Sequence, residues 1–116
     1  MIQIYTSYNC TSSKKVEKWL KNHGMLYNNK NILTAKITEN DIQLMLKYAE
    51  NGFEDIISSR SKVFIENEKK IRTFTTHEMI SFIIENPTVL KRPIIIDDAT
   101  ESLITGFNDI IIEELL

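Results

Sequence analysis

The sequence has one cysteine, Cys10, in 116 residues. An internal disulfide is therefore excluded, and with it the switch that a dithiol pair provides. A lone thiol also argues for the cytosol. Charge of one sign is in short supply: 14 basic against 16 acidic side chains leave a net −2, which gives no general reason to bind nucleic acid. No apolar run approaches the roughly 20 residues needed to cross a bilayer, so no membrane association is expected. The N-terminus lacks a charged region followed by an apolar run, so no signal peptide is expected either. His23 and His77 are far apart, with no cysteine or carboxylate at metal-ligand spacing. No metal and no cofactor are assigned. His23 is expected over a helix end and His77 in the first turn of a helix.

What is present is the composition of an ordinary globular protein. A chain of this length forms one domain, residues 1–116, and buries roughly two-thirds of its extended-state surface. It is organised around residues 2–20. Ile2, Gln3 and Ile4 alternate, and Tyr5 and Thr6 favour strands, so 2–6 reads as a β-strand. Ser7, Tyr8 and Asn9 form a turn. Val16, Trp19, Leu20 and His23 then recur at helical spacing. Thr11, Ser12 and Ser13 offer capping hydroxyls, and Gly24 offers a stop. This places Cys10 at the N-terminus of a helix, where open N–H groups and the helix dipole favour an anion. Such a thiol is expected to titrate below the ordinary value of about 8.5. A lone cysteine is also a common small buried hydrophobe, and that reading stays open here.

Residues 25–32 are rich in asparagine and suit an edge strand. Residues 33–38 connect to a helix over 39–50, with Ile42, Met45, Leu46 and Ala49 on one face and Asn51-Gly52 as its stop. Residues 53–58 read as a short helix or turn. Val63-Phe64-Ile65 is too short to assign, and 66–72 reads as a charged, solvated stretch. Thr75 and Glu78 form a capping box that opens a helix through Glu85, with Met79, Ile80, Ile83 and Ile84 inward and Pro87 beyond its end. Residues 93–97 are a continuous apolar strand for the middle of a sheet. A turn over 98–101 leads to a hairpin partner at 102–105, followed by Gly106. Asn108 caps a last helix carrying Ile111, Ile112, Leu115 and Leu116.

A β-α-β unit and a β-β-α unit around one mixed sheet, with helices inserted between them, is an α/β thioredoxin-like architecture. The two halves fall at about 1–32 and 88–116, with the helical insert at about 39–86. In such folds a proline at the start of the buried strand is cis and lies against the cysteine-bearing helix, which predicts a cis Arg92–Pro93 bond. Arg92 and Arg60 would supply cations to a Cys10 thiolate or an oxyanion, although both also read as surface arginines. Lys14, Lys15, Lys18 and Lys21 make a basic helix face, which is ordinarily just solvated but would suit an acidic partner.

Three blocks resemble the Spx family of transcriptional regulators, in the arsenate-reductase-like branch of the thioredoxin fold. They are Tyr5-Thr6-Ser7 with Cys10-Thr11-Ser12, the run from Asp55 through Arg60 to Phe64, and Arg92-Pro93-Ile94-Ile95-Ile96-Asp97. The resemblance runs over essentially the whole chain. It implies a protein that is not an enzyme and that binds the C-terminal domain of the RNA polymerase α subunit, and Gly52 matches the family's glycine in that contact. With Gly52, Tyr48, Glu50 and Asn51 are expected to form the partner surface. Arg92, with Pro93, is expected beside the thiol. The resemblance also implies a C-x-x-C sensor of disulfide stress, and here Ser13 stands in place of the second cysteine. Oxidation of Cys10 to a sulfenic acid or a mixed disulfide stays available. The family usually carries a longer C-terminal tail recognised by a cytosolic ATP-dependent protease. The sequence stops at Leu116, so control by turnover is not assigned.

The competing class is a glutaredoxin-linked arsenate reductase, which needs a nucleophilic cysteine and three arginines. Cys10, Arg60 and Arg92 match that set, but residues 103–107 supply no third arginine, and Lys14 stands where an arginine often follows the motif. A thiol-linked adaptor without a polymerase contact is a third reading. The expectation carried forward is a cytoplasmic regulator, monomeric when free, that meets promoter DNA only together with polymerase.

Overall fold

The computed structural model of the protein describes residues 1–107. In chain order the elements are β1 (Ile2–Thr6), α1 (Thr11–Asn22), β2 (Tyr27–Asn31), α2 (Glu39–Tyr48), a 3-10 turn (Gly52–Asp55), α3 (Lys62–Ile71), α4 (Thr76–Glu85), a second 3-10 turn (Pro87–Val89), β3 (Ile94–Asp97) and β4 (Ser102–Thr105). The sheet runs β2-β1-β3-β4. β1 and β2 are parallel, joined by α1 as a crossover, and the other two pairings are antiparallel. Composition explains the order. Ile94, Ile95 and Ile96 are apolar in succession, so β3 is buried on both faces. The polar β2 sits at the edge.

Alternation along the strands divides the core in two. Ile2, Ile4, Ile95 and Ile104 meet Val16 and Leu20 of α1 on one face. Tyr5, Ile94 and Ile96 meet Ile42 and Met45 of α2, Ile71 of α3, and Ile80 and Ile83 of α4 on the other. Thr38 and Thr75 cap α2 and α4 in reciprocal capping boxes with Asp41 and Glu78. Asp41 also ties α2 to the sheet, accepting from Lys30 Nζ at 2.6 Å and from Tyr5 Oη at 2.9 Å. Burial pushes this carboxyl up, but Lys30, Thr38 and Tyr5 outweigh burial and hold it below its ordinary range. Burial and the Asp41 charge push Tyr5 upward, so it stays a neutral donor.

The structure departs from the sequence reading in four places. Val63-Phe64-Ile65 and the charged stretch after it form one helix, α3, opened by Ser61 Oγ accepting from Phe64 N–H at 3.2 Å. Its buried stripe is thin, with only Ile71 fully inside, which hid the helical period. α2 stops at Tyr48: Ala49 is already extended at ψ 125°, so Asn51-Gly52 follows the helix end rather than making it. The stripe on α1 is narrower than expected. Trp19 is half-buried and stacks at 3.9 Å on an exposed His23. Finally, no hydroxyl of Thr11, Ser12 or Ser13 caps α1; the N-cap residue is Cys10 itself. The helix expected from Asn108, with Ile111, Ile112, Leu115 and Leu116, lies outside the described residues. Among the described residues, no helix is long and apolar enough to cross a membrane.

Candidate functional site around Cys10

Cys10 sits in extended backbone, φ −108° and ψ 118°, directly before α1. The preceding turn is closed by its own N–H, which donates to Ser7 C=O at 3.0 Å. Ser7 is buried; its hydroxyl is bonded to Asn9 Oδ1 and its N–H donates to Ser13 Oγ at 3.2 Å. The cap is missing because the N-cap residue is Cys10, whose thiol makes no capping hydrogen bond. The Ser13 hydroxyl accepts from the turn, and its proximity to Cys10 favours the thiolate. The first N–H groups of α1 are left without a side-chain acceptor.

The electrostatics follow from that arrangement. Partial burial pushes the thiol up and is the largest single influence. The Ser13 hydroxyl, the N–H groups of Ser13 and Ser12, and the Arg92 charge together outweigh it, so the net direction is down. The thiol itself faces Arg92 C=O at 4.0 Å. The Arg92–Pro93 bond is cis, as the sequence reading expected, and Pro93 is buried. Asn9, Cys10, Ser58, Leu90, Lys91 and Arg92 line an open cavity of about 370 Å³. Arg60, a candidate for the same anion pocket, is exposed and is not among the lining residues.

Ser58 and Lys91 were missed in the sequence. They arrive through a short antiparallel bridge between Ile57 and Leu90. Ser58 N–H donates to Val89 C=O, and Lys91 N–H donates to Ile56 C=O, each at 2.8 Å. The signal was available in Lys91-Arg92-Pro93, a pair of cations directly before the cis bond. The pairing partner, Ile57, had no local signature.

Tyr48, Glu50 and Asn51 lie together on a second surface, an open groove of about 380 Å³ that also takes Asp55, Lys91 and Glu101. Tyr48 Oη donates to Asp98 Oδ1 at 3.0 Å, which joins the end of α2 to the β3–β4 hairpin and pushes the phenol upward. Asp55 accepts from Asn51 N–H at 2.9 Å and from its amide at 3.2 Å, which holds the carboxyl below its ordinary range. Gly52, beside this groove, has φ +62°, and a Cβ built there meets no atom within 4 Å. Its backbone therefore favours glycine, while the space a side chain would enter is open. Lys91 lines both cavities. Among the described residues, no three His, Cys, Asp or Glu side chains gather to hold a metal.

Comparison with known proteins identifies the chain. The ArsC family model matches residues 5–115. The global transcriptional regulator Spx of Streptococcus mutans is 38% identical over 109 residues, covering 94% of this chain and 78% of that protein. Global transcriptional regulator Spx 1 of Lactococcus lactis is 42% identical over 109 residues, covering 94% and 84%. Among solved structures, an arsenate reductase from Vibrio cholerae superposes with a TM-score of 0.83 at 16% identity, covering 99% of this chain and 97% of the other. An ArsC family related protein from Bacteroides fragilis gives 0.80 at 20% identity, with the same coverage. At those identities the two structures speak for the shared thioredoxin-like fold alone. The family match and the identity to the Spx proteins go further: this chain belongs to the ArsC family and, within it, to the Spx proteins.

Proposed function

We propose that this protein is a cytoplasmic transcriptional regulator that acts as a single domain by docking on the C-terminal domain of the RNA polymerase α subunit. The broad role rests on relatives that are named global transcriptional regulators rather than enzymes. The observation that carries the docking surface is the turn at Gly52. A left-handed backbone with empty space where a side chain would project leaves a flat peptide face open to a partner. Tyr48, Glu50 and Asn51 border it and supply a phenol, a carboxylate and an amide for recognition.

Cys10 and Ser13 form a thiol site without a disulfide switch, because Cys10 is the only cysteine of the chain. Arg92 and Pro93 are its neighbours. The free protein is a monomer, and it meets promoter DNA while held on polymerase. An arsenate reductase needs several cations around its oxyanion. Here Arg60 does not line the thiol cavity, which leaves Lys91 and Arg92 as the cations there.

Calorimetric titration of the purified protein into the isolated C-terminal domain of the polymerase α subunit tests the reading. Micromolar or tighter binding that Gly52→Arg removes is the expected result. No binding at high concentration overturns it and directs work to arsenate reduction with glutathione and glutaredoxin.

A further inference from the structure

The net charge of −2 conceals a segregated distribution. Glu50, Asp55 and Glu101 collect around the groove at the end of α2. α1, Thr-Ser-Ser-Lys-Lys-Val-Glu-Lys-Trp-Leu-Lys-Asn, carries four lysines and one acid. That acid, Glu17, is turned toward the sheet edge: its Oε1 accepts from Tyr27 Oη at 3.2 Å and from Asn29 Nδ2 at 3.3 Å. Lys14, Lys15, Lys18 and Lys21 are all exposed, and none pairs with a carboxylate among the described residues.

Lys14, Lys18 and Lys21 fall at i, i+4 and i+7, so they form one stripe. It lies opposite the buried Ser13, Val16 and Leu20. Such a stripe works against its own helix. Like charges at that spacing repel, and Lys14 stands in the first turn, where the dipole disfavours a cation and no acid offsets it; only Lys21, in the last turn, is favoured by the dipole. A run of like charges that no carboxylate among the described residues pairs with points to a partner outside the molecule.

We infer that the Lys14–Lys18–Lys21 stripe is a contact surface for the phosphate backbone of double-stranded DNA, used while the Gly52 surface holds the protein on polymerase. The inference rests on the proposed docking. Chemistry favours DNA over an acidic protein. The stripe consists of point charges over about 10 Å of helix, the axial reach of about three phosphates on one strand. No exposed apolar or aromatic anchor of the kind that dominates protein–protein contacts is interleaved with it; Trp19 is spent on its stack with His23. Contacts to phosphate alone carry no sequence preference, so the stripe would add affinity without choosing a promoter. Three such contacts bind weakly by themselves, and tethering on polymerase supplies the effective concentration. α1 covers one face of the sheet and α2 the other, so the two surfaces are open to different partners at once.

The test compares the full chain with Lys14→Gln/Lys18→Gln/Lys21→Gln, whose fold is checked by thermal unfolding. A labelled duplex of about three helical turns is titrated with the isolated polymerase α domain in the presence of either protein, over a series of salt concentrations, and binary binding to the α domain is measured alongside. The expected result is unchanged binary binding, at least roughly tenfold weaker DNA binding for the triple variant, and a salt slope shallower by about 2.7, at about 0.9 per phosphate contact. Unchanged DNA affinity and slope overturn the inference. Loss of binary binding in the triple variant overturns it too, because the stripe then meets protein. If the unaltered chain does not bind the α domain, the proposed docking has failed on its own. The stripe is then judged by the chain alone on the same duplex at low salt: lysine-dependent binding sustains it, and lysine-independent or absent binding overturns it.

Discussion

The thiol cavity and the Gly52 surface are built in opposite ways. The cavity gathers residues from three distant segments, 9–10, 58 and 90–92, and fixes them by backbone hydrogen bonds and one isolated bridge. The Gly52 surface is centred on one continuous stretch, 48–55, set against Lys91 and the 101–105 arm of the hairpin, and its defining feature is a torsion angle rather than a functional group. The first arrangement tunes chemistry, since the ionisation of Cys10 depends on Ser13, Ser12 and Arg92 converging on it. The second presents shape. Reactivity needs convergence, whereas recognition by a partner needs only an accessible, conformationally defined strip. A fold built this way could keep a recognition surface while its redox chemistry is reduced to a single thiol.

The sharpest way to break the comparison is Gly52→Arg. The left-handed torsion costs an arginine about 1 kcal/mol, which the fold survives, while the side chain projects into the space a partner would fill. Binding to the α domain should fall at least a hundredfold with the thermal transition retained. Unchanged affinity would remove the proposed interface.

Asp41 holds the two regions in one frame, because α2 presents Gly52 while β1 leads into Cys10. Asp41→Ala removes the acceptor for Lys30 and Tyr5 and should cost about 1–3 kcal/mol in denaturant unfolding. The sign of its pH dependence is fixed. The folded carboxyl titrates below its unfolded value. Its contribution is therefore complete above the ordinary carboxylate value and is lost as pH falls through the lowered one. Acid unfolding of Asp41→Ala should show less of this dependence than the unaltered protein.

The thiol offers a finer test. The rate of Cys10 alkylation against pH should have its midpoint below that of a free thiol. Ser13→Ala should raise the midpoint more than Arg92→Ala does, because the Ser13 hydroxyl lowers the thiol more than the Arg92 charge. An unaltered midpoint in both variants would mean that neither group reaches the sulfur. The smallest effect expected is that of Cys10→Ser on α-domain affinity, within about twofold of the unaltered protein. A larger loss would show that the two regions are energetically joined, and Lys91, which borders both, would be the first residue to examine.

Much of this was legible in the sequence because local rules suffice for it. The apolar β3, the Thr75–Glu78 capping box and the strand-turn-helix around Cys10 each declare themselves within a dozen residues, whereas the Thr38–Asp41 box was seen only in the structure. α3 did not, because its exposed face is charged and only Ile71 is fully buried, so the helical period was faint. The Ser13 hydroxyl reads as a cap because sequence shows its position and not its bond to Ser7 N–H. Ser58 and Lys91 enter the cavity by a pairing across more than thirty residues, which no local pattern announces. Arg60 lies within the block of family resemblance, yet its side chain is exposed and does not line the cavity.

The serine beside the thiol also has a consequence in time. Ser13 can hold a thiolate but cannot displace an oxidised sulfur, and the chain has no second cysteine to do so. A Cys10 sulfenic acid would therefore not discharge into its own protein; it would wait for a thiol from outside. Where a paired motif resets at a rate written into its own geometry, the lifetime of a mark on this chain is set by the supply of reductant around it. Its oxidation would behave as a record that the cell must erase.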